Sequence, residues 1–154
     1  MRGLKAALYV GAGLAMVGLS ACGGGDGSPT ASTPPATTPP ADNRTIEESP
    51  SFSATVQEIF VRRSCNTASC HGTARAAGLD LSAGGAYASL VSVASANEPA
   101  FLRVSPGDPE NSYLVIKVEG RQTVGSLMPI GGTPLDDIDL ANIRNWIAQG
   151  AQNN

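Results

Sequence analysis

The chain has 154 residues, with 10 Lys and Arg against 13 Asp and Glu, one His, three Cys and three Met. That length sets one domain, or one domain with an appendage, and a net charge of −3 with 15% charged residues offers no basic patch for nucleic acid. A single histidine, His71, excludes multi-histidine metal sites, blue copper included, and leaves a Ser–His–Asp triad only if His71 serves it.

Residues 1–21 read as a lipoprotein signal peptide. Arg2 and Lys5 precede an uncharged apolar run, residues 6–19, which is shorter than the roughly 20 residues a membrane-spanning helix needs. The Leu19-Ser20-Ala21-Cys22 tetrapeptide resembles a bacterial lipobox. That resemblance implies diacylation of Cys22, which would become the first mature residue and anchor the chain to a membrane through its lipid. Gly23, next in line, favours the outer membrane in known lipoproteins, facing the periplasm or the cell surface. The alternative is an ordinary signal peptide with Cys22 unmodified.

Residues 22–50 read as a disordered tether. Six of the 11 prolines fall between 23 and 50, among Gly, Ser and Thr and with almost no large apolar side chain. Such a segment buries too little surface to offset its ordering entropy. A flexible coil of that length spans roughly 30 Å r.m.s..

Residues 51–154 carry apolar periodicity and are expected to fold as a small, mainly α domain with long Gly-rich loops. Phe52, Val56, Ile59 and Phe60 share one face of a helix that Ser51 or Ser53 caps, with Arg62 and Arg63 near its C-terminal end. Gly72 to Gly85 reads as loop, and Ala86 to Val93 as a short helix. Asp108 is expected to cap a helix with Pro109 in its first position, running to Glu119 and stopped by Gly120. The β-branched Val115-Ile116-Lys117-Val118 run leaves a strand open there. The last helix is expected to start at Thr133 and Pro134, to carry Leu140, Ile143, Trp146 and Ile147, and to end at Gly150.

The rare residues cluster. With Cys22 assigned to the lipid, Cys65 and Cys70 form a pair directly followed by His71, in the order Cys65-Asn66-Thr67-Ala68-Ser69-Cys70-His71. The C-x-x-C-H signature marks covalent haem attachment, in which two thiols take the haem vinyls and the next residue offers an imidazole to iron. Here the spacing is C-x4-C-H, so two further residues must bulge away from the porphyrin. The alternative is a Cys65–Cys70 disulfide in a haem-free domain used for binding or assembly. Zinc would need a fourth ligand beside Cys65, Cys70 and His71. The C-x-x-C of a thioredoxin-like site, a P-loop, G-x-S-x-G and H-E-x-x-H are all absent from the sequence.

The residues from 52 to 151 resemble small c-type cytochrome domains, in the C-x4-C-H variant of planctomycete and proteobacterial lipoproteins. The likeness rests on Cys70-His71-Gly72, Gly78-Leu79-Asp80-Leu81, Pro106-Gly107-Asp108-Pro109 with Ser112-Tyr113-Leu114, Met128-Pro129 and Ile143-Arg144-Asn145-Trp146-Ile147. It implies covalent haem c on Cys65 and Cys70, His71 as one axial ligand of the iron and Met128 as the other. It also implies that the first and last helices pack together near the haem. Without residues 1–21, Met128 is the sole methionine and His71 the sole histidine. Met/His ligation fills both axial positions, which suits an electron carrier with redox protein partners, or the electron-entry module of a partner oxidoreductase, better than a haem enzyme.

Overall fold

The computed structural model describes residues 43–154. These fold into four short α-helices without strands. The expected signal peptide, the Cys22 anchor and most of the tether lie outside the described residues.

The first helical element begins as expected at Ser51, whose hydroxyl accepts from the Ala54 N–H. Its first turn, Phe52–Val56, is wound as a π-helix, and Val56 N donates to Ser51 O at 3.1 Å. It continues as α1, Gln57–Arg62. The exposed amides at its start are met from the far end of the sequence. Phe52 N donates to Asn154 Oδ1 at 2.8 Å and Ser53 N to Asn154 O at 2.9 Å.

A long irregular segment follows, broken by one 3-10 turn at Ala76–Gly78, before α2, Ala86–Leu90. The expected helix to Val93 stops at Leu90 because Val91 leaves it to make a parallel bridge to Val104. An antiparallel bridge joins Ala94 to Leu102.

Helix α3 is Tyr113–Glu119, four residues shorter at its start than Asp108 and Pro109 suggest. Asp108 instead closes a local turn, accepting from Asn111 N at 3.2 Å and Asn111 Nδ2 at 2.7 Å. The first amides of α3 are met by the bridged segment: Tyr113 N donates to Leu102 O and Leu114 N to Arg103 O, both at 2.9 Å. The β-branched run Val115–Val118 is helical, and Gly120 ends it with φ of 77°. Helix α4, Asp137–Ala148, is capped by Asp136 rather than by Thr133, because Asp136 accepts from the Asp139 N–H at 3.0 Å.

The core forms where α4 meets the first π-helical turn and α3. Trp146, Ile143 and Ile147 are buried against Phe52, Val56 and Phe60. The Phe52 ring stands 5.2 Å from Trp146 and 5.2 Å edge-on from Tyr87. Both polar tips find acceptors: Trp146 Nε1 donates to Gln152 O and Tyr87 Oη to Ala151 O.

The packed structure begins before Ser51, where the tether was expected to continue. Arg44 donates to Asp136 and Asp139, and Glu47 N donates to Asn142 Oδ1. Asn142 Nδ2 donates back to Thr45 O, and Asn145 Nδ2 to Glu47 O. Arg62 and Arg63 join the same cluster, both donating to Asp139 at 2.6 Å. These two arginines, expected to favour a helix C-terminus, tie α1 to the start of α4. Asp139 is 1% exposed, so the cluster is anchored on a buried carboxylate while its other members reach the surface.

Candidate functional site

The Cys65–His71 turn grows directly from the end of α1. Cys65 N donates to Phe60 O at 2.8 Å, and Ser64 turns the chain with φ of 58°. Cys65 is half-buried and packs on the core, whereas Cys70 is exposed. The four residues between them fold as a small turn of their own. Cys70 N and Gly72 N both donate to Thr67 O at 3.0 Å, and His71 N returns to Cys65 O at 3.1 Å. The longer spacing is thus absorbed locally, and Cys65, Cys70 and His71 stay on one compact loop.

Both thiols are free. Their environments differ in kind. Burial pushes the Cys65 thiol up to about 11. Hydrogen bonds from Thr67 and Ser69 hold the exposed Cys70 thiol below its ordinary value.

His71 is fixed on three sides. Its N–H is held by Cys65 O, its carbonyl accepts from Leu81 N at 2.6 Å, and its Nδ1 lies 3.0 Å from Ala76 O. A carbonyl can only accept, so this contact makes Nδ1 the protonated nitrogen and leaves the lone pair on Nε2. Burial lowers the affinity of the ring for a second proton, and the Arg103 charge adds to this. The contacts to Ala76 and Leu79 act the other way without reversing it.

Met128 lies on another loop, between α3 and α4, and is half-buried against the same core as Cys65. Met128 N donates to Lys117 O at 3.0 Å, which docks the loop on the end of α3. The Met128–Pro129 peptide is cis. Around Met128 the side chains of Val124, Leu127 and Ile130 are exposed although apolar, Ile130 at 71%. Among the described residues, no hydrogen bond joins this loop to the Cys65–His71 turn.

The donor types are those a covalently held haem would use: two thiols, an imidazole and a thioether on a partly apolar loop. An open hollow of about 470 Å³ beside Gly72 is lined by Thr73, Arg75, Asp80 and Ser82. Exposed apolar side chains gather around Met128 as Val124, Leu127 and Ile130, with Ile46, Val61 and Leu102 exposed elsewhere. Among the described residues no three His, Cys, Asp or Glu side chains gather as a metal-ion site.

Two features of the site were silent in the sequence. The Ala76 acceptor is a backbone atom and leaves no trace in residue type. Arg103 reaches the loop through a fold-level approach that no local spacing signals. Comparisons with protein-family models, curated proteins and solved structures return no match to this chain.

Proposed function

We propose that the chain is a membrane-anchored monohaem c-type cytochrome that carries electrons in the cell envelope. The observation that supports this best is the His71 Nδ1 contact to Ala76 O, directly after the Cys65/Cys70 pair. It is the arrangement a ligating histidine needs: one nitrogen committed to a fixed acceptor, the other left with its lone pair.

Cys65 and Cys70 would make the two thioethers, each S–H adding across one vinyl, so attachment needs no oxidant. His71 Nε2 and Met128 Sδ would hold the iron. Bound haem supplies a one-electron iron couple, which Met/His ligation places at raised potential. The protein's part would be to hold the iron through an imidazole and a thioether, to offer the apolar side chains of Val124, Leu127 and Ile130 beside it, and to leave the iron no room for substrate. Cys22 would carry the lipid, and the residues after it would let the domain reach redox partners from the membrane. The described residues contain no helix long and apolar enough to cross a membrane.

The test is expression of the full chain in a host with haem c maturation machinery. A Soret band and a mass increase of one haem that survives denaturation are expected. A colourless product overturns the reading. If that product has also lost two hydrogens between Cys65 and Cys70, it is a disulfide-bonded domain for binding or assembly.

A further inference from the structure

Arg103 differs from the other arginines of residues 43–154. All the rest are within ion-pair distance of a carboxylate, while Arg103 is half-buried and bonds only to neutral groups. Its Nη1 donates to Ser89 O at 2.8 Å and to Ser89 Oγ at 3.2 Å. Its Nη2 donates to Ala77 O at 2.9 Å. The guanidinium thus bridges α2 to the turn that follows His71.

That turn is unfavourable on its own. Arg75 and Ala77 both take left-handed backbone angles, with φ of 47° and 55°, although neither is glycine. Residues stay in this region only where their surroundings over-determine them. Ala76, between the two, supplies the carbonyl that accepts from His71 Nδ1. Arg103 holds the next carbonyl along, and its own backbone is locked between the segment after α2 and the start of α3 by Val93 O and Leu114 N.

We propose that Arg103 is the positioning residue for His71. It clamps the Ala76–Ala77 turn so that the Ala76 carbonyl faces the imidazole, and it thereby selects the tautomer that leaves Nε2 as the ligating atom. The use of that atom toward iron rests on the function proposed above, but the tautomer does not. The fork geometry of a guanidinium suits the task, because two acceptors on separate elements are held at once.

The experiment reads the His71 tautomer in the haem-free full chain, by long-range nitrogen–proton NMR of the single imidazole at a pH where it is neutral. The unsubstituted chain should show the Nδ1–H form. Arg103→Met should lower the ratio of Nδ1–H to Nε2–H by roughly tenfold, about the equilibrium worth of one hydrogen bond. Arg103→Lys keeps the charge and one donor, so it should fold and should recover part of that loss. An unchanged ratio in a folded Arg103→Met chain overturns the proposal. If Arg103→Met does not fold, Arg103→Lys decides, and a ratio equal to that of the unsubstituted chain overturns it. Haem attachment to the unsubstituted chain is scored separately, so failure of the function leaves this result standing.

Discussion

Gly72 packs its Cα against the carbonyl oxygen of Asn66 so closely that a Cβ would collide with it. The same Cβ would stand 2.7 Å from Thr67 O. Both obstacles are backbone, which cannot swing aside. The extra residues of the C-x4-C-H spacing therefore fold back onto the residue after His71, and only glycine admits them. Gly72→Ala should destabilise the domain by about 2 kcal/mol, the usual scale of forced overpacking. It should also lower the yield of haem-bearing protein. Urea unfolding of the haem-free chain checks the first outcome, and full stability in the variant would show that the turn has room.

The two thiols should differ in reactivity before any haem is attached. Cys65 is pushed up to about 11 by burial, and Cys70 is exposed and held below its ordinary value. The thiolate is the reactive form. At pH 8 a haem-free chain treated with iodoacetamide should therefore be alkylated at Cys70 faster than at Cys65, by at least about tenfold. Peptide mapping of a time course reads both sites. Equal rates would mean that the Cys65 turn opens freely in solution.

Much of this was legible in the sequence. The apolar spacing of Phe52, Val56, Ile59 and Phe60 located the first helix, because burial of one face is what holds so short an element. Gly120 and Gly150 announced their helix ends through their freedom at positive φ. Asp108 misled, because an Asp before Pro serves a turn as well as a helix cap, and Asn111 was near enough to close the turn. The clasp on Asp139 was also out of reach. Arg44, Arg62 and Arg63 converge on it from distant positions, and only the fold brings them together. At the candidate site, residue types nominate Cys65, Cys70, His71 and Met128, while the contacts around His71 come from backbone atoms and from Arg103 and leave no mark in residue type.

Asp139 should be the most sensitive charged position. It is 1% exposed and takes hydrogen bonds from Arg44, Arg62 and Arg63. Asp139→Asn leaves these cations without their shared partner and should cost about 3 kcal/mol or more. The pH dependence follows from the same cluster. Hydrogen bonding to Arg44 holds Asp136 far below the carboxylate range. Burial pushes Asp139 upward, but Arg62 and Arg63 outweigh it and its net shift is also downward. Both groups are more acidic folded than unfolded, so their stabilisation is complete above about pH 4 and is lost as pH falls through the folded values. Thermal unfolding from pH 6 downward should show a steep loss below pH 4 that Asp139→Asn flattens. A variant as acid-sensitive as the unsubstituted chain would place the proton uptake elsewhere.

The segment before Ser51 should count toward stability. Arg44, Thr45, Glu47 and Glu48 all bond to side chains of α4 or its cap, and Thr55 Oγ1 donates to Glu47 at 2.9 Å. A fragment of residues 43–154 holds every one of these contacts and serves as the reference. A fragment of residues 51–154 loses four hydrogen-bonded backbone groups and the Arg44 clasp, and should be weaker by about 2–4 kcal/mol. Equal stability of the two fragments would mean that the segment only rests on α4.

Met128 offers the test that separates ligand from filler. Its loop is held by backbone, through Met128 N on Lys117 O, so removing the side chain leaves the docking intact. The side chain is only half-buried, so Met128→Ala should cost the haem-free chain less than the 2–5 kcal/mol typical of a core truncation. In haem-bearing protein the same change should abolish sulfur–iron charge-transfer absorption and lower the reduction potential, because thioether ligation favours the reduced iron. The covalent haem should remain, since Cys65 and Cys70 are untouched. An unchanged spectrum would assign Met128 to packing alone and would leave the iron to be held by another group beside His71, with haem attachment unaffected.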